Sequence, residues 1–333
     1  MQNGLTVSTI GTVGVVFIAL RRLASYSAMI ILNVRQLQPS KSNSSGSQRS
    51  TSSDVVLIKL GGAALTHKNR FETIDSKSMA QAVDLLKNEY VRNGTRMVLV
   101  HGAGSFGHFQ AKKFRLTEGS GAHPEAQLGA SLCRASVRKL NVELVSRLVS
   151  SRMPAVSISP FPTTTTNGGA LHRDGALQRI KHLVDNGYVP IVHGDVVCDD
   201  QLGHTILSGD TLIERLCTLI RPRRAIFITD VPGIFDKPPE EPGAILLSKI
   251  DVDPSTGTMC LPSAFRSNKS SHDVTGGIKK KLASARNVVK RGDTPVFIGD
   301  LHSEATARVL SGEPGWGPDD DERGAGTWVR MKP

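Results

Sequence analysis

Four segments rich in glycine carry the lysines, histidines and aspartates that could do chemistry in this sequence. They are KLGGAALTHK (59–68), HGAGSFGH (101–108), HGDVV to ILSGD (193–210) and DVTGGIKKK (273–281). Glycines let backbone N–H groups approach phosphate oxygens, and a helix N-terminus adds a favourable dipole worth roughly 0.3–1 kcal/mol. One such turn means little. Four in one chain, two of them close to lysines, predict a site that holds several phosphate groups.

The second segment also contains the pattern G-x-G-x-x-G, at Gly102, Gly104 and Gly107, which is typical of a dinucleotide-binding turn. That turn normally follows the first strand of its unit, and an acid ends the next strand about 20 residues later. Here the apolar run 55–60 comes earlier, and no strand follows Gly107 to carry such an acid. The loop G-x-x-x-x-G-K-S/T is absent as well. The pattern therefore favours a phosphate site of another kind.

Short β-branched runs alternate with helical patterns from Val55 onward. The runs are VVLIKL (55–60), RMVLVH (96–101), AVSIS (155–159), VPIVHG (189–194), AIFITD (225–230) and PVFIG (295–299). Helical patterns cover 75–92, 124–152, 174–186, 209–220 and 276–291. Continuous apolar runs are typical of strands buried on both faces, so the alternation predicts an α/β sandwich around a mostly parallel sheet. In such a sheet, ligands gather where strands end, which is where the glycine-rich segments occur.

Composition and charge limit the classes of partner. The chain has 333 residues, 39% apolar content and a formal net charge of +11. Its basic clusters are short and lack interleaved aromatic residues, which make up only 5% of the chain. This distribution favours sites for small anions over nucleic-acid binding. The four cysteines, which show no metal-ligand spacing, indicate a reducing compartment; they are Cys133, Cys198, Cys217 and Cys260.

Residues 1–53 are predicted to be a leader and linker that precede the folded domain. They hold five basic side chains and no acidic one, and the serine-rich stretch 39–53 cannot bury enough surface to fold. The apolar stretch 5–20 is shorter than the roughly 20 residues of a spanning helix. We expect a cytosolic protein; organelle targeting or membrane association through residues 1–35 remains the alternative.

The segments together resemble the amino acid kinase family and, within it, the plant-type isopentenyl phosphate kinases. The blocks that carry the resemblance, between about Val55 and Arg330, are KLGG with a lysine nine residues after its own, HGAGSFGH, PAVSISP, VPIVHGD, LSGD, TDVPGIFDKPP, DVTGGIKKK and GTWVR. The resemblance implies a three-layer αβα sandwich around a mostly parallel open sheet. It also implies an acceptor lobe at about 54–220, a lobe for ATP with Mg²⁺ at about 221–333, and a homodimer.

The resemblance implies a role for each reactive side chain. Lys59 would contact the transferring phosphoryl group, Lys281 would stabilise the terminal phosphates of ATP, and Asp210 would organise the lysines. The implied ATP contacts are Lys59, Gly61, Gly62, Gly104, Asp230, Gly233, Phe235, Gly276 and Lys281. The implied acceptor contacts are Lys68, Ala103, Gly104, His108 and Gly209. Structural alternatives are a strand-end lysine at 59, a solvated lysine at 68 and a helix cap at Asp210.

His108 bears on the choice of acceptor. A phosphomonoester has its second pKa near roughly 6 and is already a nucleophile at pH 7, so its kinase needs no base. The site must instead hold two anionic groups in line, which requires cations and N–H donors. A nearby phosphate favours the charged form of histidine. In the branch that His108 resembles, the matching histidine contacts the acceptor phosphate. His101 and His193 are interpreted as structural.

The predicted reaction is ATP + isopentenyl phosphate → ADP + isopentenyl diphosphate, in mevalonate-linked isoprenoid biosynthesis, with dimethylallyl phosphate as a second acceptor. One alternative is a kinase of the same fold that acts on a carboxylate or a nucleoside monophosphate. Another is a non-catalytic nucleotide-binding sensor, against which Lys59, Asp210 and Lys281 argue together. Three residues depart from the usual family pattern: Ala103 for a glycine, and Pro232 and His67 for acids.

Overall fold

The computed structural model describes residues 53–263, 265, 277–320 and 325–333. The predictions for the leader, for targeting and for Gly276 fall on residues outside these ranges. Within them, none of the helices has both the length and the apolar character that crossing a membrane requires.

Twelve strands and seven α-helices are described. The strands are β1 Ser53–Leu60, β2 Arg96–His101, β3 Ala155–Ile158, β4 Thr164–Asn167, β5 Ala170–Asp174, β6 Val189–His193, β7 Asp195–Asp199, β8 Gly203–Leu207, β9 Pro222–Thr229, β10 Lys249–Val252, β11 Val296–Asp300 and β12 Thr327–Met331. The helices are α1 Ser76–Asn93, α2 His108–Lys113, α3 Ala126–Ser150, α4 Ile180–Asp185, α5 Gly209–Ile220, α6 Gly277–Gly292 and α7 Glu304–Ser311. Short 3₁₀ turns span Gly62–Ala64 and Gly104–Phe106.

Eight strands form one sheet in the order β10-β12-β11-β9-β1-β2-β6-β3. Every neighbouring pair in this sheet is parallel except β11 and β12. The six apolar runs of the sequence are β1, β2, β3, β6, β9 and β11, so the prediction of a mostly parallel sheet is confirmed. Strands from both sides of residue 220 belong to this one sheet. The division at that residue into an acceptor lobe and an ATP lobe stays a prediction.

The sheet is covered by helices on both faces. Along β1, Val55 and Leu57 belong to a core that includes side chains of α4, α5 and α6. The alternate residues Val56 and Ile58 belong to a second core with side chains of α1, α3 and α7. Successive side chains of a strand point to opposite faces, so a run that is apolar at every position can supply both cores. The predicted three-layer αβα sandwich is thereby confirmed.

A second, smaller sheet differs from what the sequence pattern predicted. It has the order β5-β4-β7-β8 and is built from two hairpins. The predicted helix over 174–186 is too long, because residues 170–174 pair with β4 and only Ile180–Asp185 form a helix. The strands of this sheet contain threonine, aspartate and histidine instead of apolar runs, so periodicity did not mark them.

Candidate functional site

The glycine-rich segments meet because the strands that precede them are neighbours. β9, β1, β2 and β6 lie side by side and parallel, so their carboxyl ends share one edge of the sheet. At that edge β1 leads into 59–68, β2 into 101–108, β6 into 193–210 and β9 into Asp230. The edge of the sheet at which ligands are expected therefore carries nearly all the predicted site residues.

The first two glycine-rich turns are packed backbone against backbone. A Cβ atom added at Gly62 would lie 2.2 Å from the backbone nitrogen of Gly104, which itself has a φ of +52°. The Thr66 hydroxyl joins the turns, since it donates to the Gly62 carbonyl at 2.8 Å and accepts from the Ser105 N–H at 3.0 Å. The close contact requires glycine at both 62 and 104, and the positive φ of Gly104 favours glycine there for conformation as well. Thr66 was not singled out in the sequence.

Lys59 and Asp210 form a largely buried ion pair. The Lys59 Nζ lies 2.9 Å from the Asp210 Oδ1, and the lysine side chain is only 11% exposed. Asp210 is in the first turn of α5 but does not cap it, because Ser208 is the N-cap and accepts a hydrogen bond from the Thr211 N–H. The helix-cap alternative for Asp210 is therefore wrong. A Cβ added at Gly209 would lie 3.7 Å from the Lys59 Cε.

Lys281 approaches the same place from α6. Its Nζ donates to the Thr229 hydroxyl, at the end of β9, at 2.6 Å. Burial lowers the pKa of Lys281 to about 8, and repulsion from Lys59 adds to the shift, whereas Asp230 and Asp210 oppose it. Because burial disfavours the charge of Lys281 and the nearby aspartates compensate it only in part, an anionic ligand at this place would stabilise the charged form. Thr229 was not singled out in the sequence; its position at a strand end beside Asp230 was the available signal.

Lys68 and Asp230 form a more exposed pair. The Lys68 Nζ lies 2.6 Å from the Asp230 Oδ2, so the loop after β1 contacts the end of β9. Burial opposes ionisation of Asp230, but the hydrogen bond and charge of Lys68 outweigh it and lower the pKa of that carboxyl. Lys68 was predicted on the acceptor side, and in the absence of ligand its partner is a residue predicted to contact ATP.

His108 is the first residue of α2 and is exposed at the end of the second glycine-rich turn. Although the side chain is exposed at the surface, the surrounding protein removes part of its hydration and thereby lowers its pKa, and repulsion from Lys280 lowers the pKa further. The sequence-based expectation that a nearby phosphate favours the charged form of this histidine concerns the phosphate-bound protein and stays a prediction. Lys280 is exposed on α6, and its charge reaches His108 at the end of the second glycine-rich turn.

The remaining predicted contacts lie in three places. Ala103 belongs to the second turn, where a Cβ added at Gly107 would lie 2.5 Å from its methyl group. Gly61 follows β1, and its N–H donates to the Ile228 carbonyl at 2.8 Å. Gly233 and Phe235 are in the loop after β9, and a Cβ added at Gly233 would lie 2.6 Å from the Thr327 hydroxyl. That loop is thus held against β12.

Among the described residues, no group of three or more histidine, cysteine, aspartate or glutamate side chains could hold a metal ion. What the edge of the sheet offers is three lysines, two aspartates, a histidine and glycine-rich turns. Surplus positive charge beside glycine-rich turns is suited to binding and transferring phosphoryl groups.

This fold and this site define a class of protein. The family model described as the amino acid kinase family matches residues 54–300, and the chain belongs to that family. An isopentenyl phosphate kinase of Arabidopsis thaliana is 32% identical over 300 residues, which cover 77% of this chain and 90% of the relative. One from Methanothermobacter thermautotrophicus is 31% identical, with 78% of this chain and 96% of the relative covered.

Solved structures agree with this assignment. X-ray structures described as those of isopentenyl phosphate kinase superpose with a TM-score of 0.65 and 26% sequence identity, covering 83% of this chain and all of the solved one. A UMP kinase of Bacillus anthracis superposes with a TM-score of 0.56 at 16% identity, which shows the shared fold alone.

Proposed function

We propose that this protein catalyses phosphoryl transfer from ATP to isopentenyl phosphate, with dimethylallyl phosphate as a second acceptor. The observation that carries the proposal is the convergence of Lys59 and Lys281 on the exits of β1 and β9, beside Asp210 and Asp230. The named relatives are isopentenyl phosphate kinases and supply the acceptor's identity.

In this reaction the protein positions the reactants and compensates their charge. The acceptor phosphate lies against the second glycine-rich turn and His108, and the ATP phosphates lie against Lys281 and the loop after β9. Lys59 lies between the two phosphate groups and contacts the phosphoryl group during its transfer, while Asp210 holds that lysine in place. Cations that are already paired with fixed aspartates need little reorganisation as charge shifts in the transition state.

Mg²⁺ is part of the proposal as the partner of ATP. Magnesium retains several waters and is usually bound through one or two carboxylates together with substrate phosphates. Asp210 and Asp230 are the acidic side chains beside the three lysines, so they are the residues that would help to hold it. The ion supplies neutralisation of phosphate charge when bound.

The test is ADP release by the full-length protein with five acceptors offered separately. Isopentenyl phosphate and dimethylallyl phosphate should be phosphorylated, whereas glutamate, aspartate and UMP should not be. Preference for UMP or for a carboxylate would establish the alternative kinase activity. ATP binding without turnover of any acceptor would favour the nucleotide-binding sensor.

A homodimer is also proposed, as in the family resemblance. Four apolar side chains of α3 are exposed in the single chain, namely Leu128, Leu132, Val142 and Val149. At 100° per residue they fall within an arc of about 100° on one side of the helix, which is a surface of the kind that a partner covers. Analytical ultracentrifugation should find a dimer, and Val142→Asp should shift it to the monomer.

Cytosolic localisation completes the proposal. The four cysteines are free, and Cys198 and Cys260 are exposed. Exposed free thiols are compatible with a reducing compartment. A fluorescent fusion of the full-length chain should distribute through the cytosol, and an organellar or membrane pattern that disappears on removal of residues 1–53 would establish the targeting alternative.

A further inference from the structure

The sequence Val-His-Gly occurs at the ends of two neighbouring strands, β2 and β6, and the site described above uses neither histidine. His101 and His193 pair in parallel register, are fully buried and have ring centroids 5.7 Å apart. In each case the Nδ1 atom lies 3.0 Å from the carbonyl oxygen of the following glycine, Gly102 or Gly194. Only Gly102 begins the turn that is proposed to hold the acceptor phosphate.

A chain of hydrogen bonds behind His101 has a single possible direction. The Gly102 carbonyl can only accept, so the Nδ1 atom of His101 carries the proton and donates to it. The Nε2 atom then accepts, at 3.0 Å, from the amide nitrogen of Asn141 on α3. The amide oxygen of Asn141 in turn accepts from the Ser157 hydroxyl on β3. Helix α3 and strand β3 therefore determine which nitrogen of His101 faces the acceptor turn.

Burial keeps this imidazole neutral. Loss of hydration lowers the pKa of His101 to about 3, and the neighbouring His193 adds to the shift. The tautomer set by Asn141 is therefore present throughout the pH range in which a kinase acts. His101 is a hydrogen-bond donor of constant direction.

The geometry of the peptide bond carries this direction into the site. In a trans peptide the C=O and the following N–H point in opposite directions. Because the Gly102 carbonyl points to His101, the Ala103 N–H points away from the buried ring, and Ala103 itself is partly exposed. Among the described residues, no acceptor takes a hydrogen bond from the N–H groups of Ala103 or Gly104. These are two consecutive free donors at the turn.

We propose that His101 is a positioning residue, which holds the Gly102–Ala103 peptide so that the Ala103 N–H faces the acceptor phosphate. The inference rests on the proposed function, because it concerns the phosphate of that acceptor. Without the imidazole, the peptide can rotate and lose the donor while Lys59, Lys281 and the ATP side of the site remain in place.

Two substitutions distinguish the contribution of Nδ1 from that of Nε2. His101→Asn keeps a donor near the position of Nδ1, and His101→Gln keeps a polar atom near the position of Nε2. In steady-state kinetics of the full-length protein, His101→Gln should raise the KM for isopentenyl phosphate about tenfold, the loss of one well-placed hydrogen bond to a charged group. His101→Asn should stay within about threefold of wild type. The KM for ATP should change less than twofold in both.

Thr294→Val is the matched control for general destabilisation. Thr294 is also fully buried and donates to backbone carbonyls, but it lies before β11, away from the acceptor turn. The Thr294→Val substitution should lower the melting temperature without raising the KM for isopentenyl phosphate. Equal effects of the two His101 substitutions on that KM, or a parallel rise in the KM for ATP, would overturn the proposal.

A spectroscopic measurement reads the tautomer directly. In a ¹⁵N-histidine NMR spectrum, the resonances assigned to His101 by their loss in His101→Asn should show a protonated Nδ1 and an unprotonated Nε2. The opposite tautomer overturns the proposal. If the wild-type protein fails to phosphorylate isopentenyl phosphate, calorimetric binding of inorganic phosphate takes the place of the KM. Weaker binding in His101→Gln than in His101→Asn would still support the positioning role, and equal binding would reject it.

Discussion

Lys281 shows how a single residue acquires a property that its type does not have. An exposed lysine keeps its proton well above neutral pH, but burial and the repulsion of Lys59 bring the pKa of Lys281 to about 8. The nearby aspartates offset only part of this cost. An ATP phosphate that enters the site stabilises the charged form of Lys281. This interaction can strengthen as negative charge develops in the transition state.

Lys281→Ala should therefore lower turnover roughly 10²–10³-fold, the range measured for removal of one oxyanion-type donor. The control is Lys279→Ala, an exposed lysine on the same helix, which should stay within about twofold of wild type. Single-turnover measurement of ADP formation distinguishes chemistry from product release. Turnover within about threefold of wild type in Lys281→Ala would assign the role to another lysine.

The same pKa predicts an alkaline limb in the pH profile. Lys281 is charged below pH 8 and loses its proton as the pH rises through about 8 in the free protein. The value of kcat/KM for ATP should thus decline above about pH 8. Bound phosphates favour the ammonium form, so kcat should decline only at higher pH. In Lys281→Arg the limb in kcat/KM should move to higher pH, and an unmoved limb would rule out Lys281 as its source.

His108 is neutral more often in the free protein than an ordinary histidine, because its pKa is lowered. Binding of the anionic acceptor phosphate should therefore be accompanied by uptake of a proton from solvent onto His108. His108→Ala should lower kcat/KM for isopentenyl phosphate at least about tenfold, or about 1.4 kcal/mol, and His108→Gln should lie between. Calorimetry in two buffers should detect proton uptake on acceptor binding by the wild type alone. A change confined to ATP affinity would reverse the assignment of the two sides.

At the scale of elements, the small sheet depends on one carboxylate. Asp199, at the end of β7, accepts backbone N–H groups from the β4–β5 turn, at Gly168 and Gly169, and from the β7–β8 turn, at Gln201 and Leu202. Burial opposes ionisation of Asp199, but these donors outweigh it and lower the pKa of its carboxyl. One ionised side chain thus fixes both hairpin turns to each other.

Asp199→Asn should destabilise the protein at pH 7, because an amide cannot accept all four N–H groups. Since the folded pKa of Asp199 lies below the unfolded value of about 3.9, the stabilisation is complete above that value and is lost progressively as the pH falls from there through the folded pKa. The difference in melting temperature between wild type and variant should accordingly shrink toward pH 3. Asp200→Asn, at the exposed neighbouring carboxylate, should be nearly neutral. A difference that is the same at pH 7 and pH 3 would contradict this account.

At the scale of the whole molecule, every described strand and every glycine-rich segment lies beyond residue 52. Removal of residues 1–53 should therefore leave a protein of 54–333 that folds, with kcat and both KM values within about twofold of the full chain. The cut removes only Ser53 from β1, with the two hydrogen bonds that its N–H and hydroxyl donate to the Arg221 carbonyl. Insoluble protein, or a melting temperature far below that of the full chain, would reject the boundary at 53/54.

The sequence was sufficient to predict six of the eight strands of the large sheet and to name candidate residues for the phosphate site. The runs at 55–60 and 96–101 are apolar at every position, and only a strand between two helical layers satisfies that pattern, so their place in the centre of the sheet could be predicted. The order of glycine-rich segments identified the family and with it Lys59, His108, Asp210 and Lys281. The predictions of the sheet and of the family succeeded because local pattern and chemistry coincide along short stretches of chain, whereas the roles of these four residues stay predictions.

Only the folded structure shows which charged side chains form ion pairs and in which direction their pKa values are shifted. That Lys59 contacts Asp210, and Lys68 contacts Asp230, depends on strand order across more than 150 residues of sequence. The lowered pKa of His108 follows from lost hydration and from Lys280 on a distant helix, and neither is visible in the segment itself. The direction of the His101 hydrogen bond likewise depends on α3 and β3. Hydration, charge and hydrogen-bond direction are properties of neighbours in space, and only the folded chain brings those neighbours together.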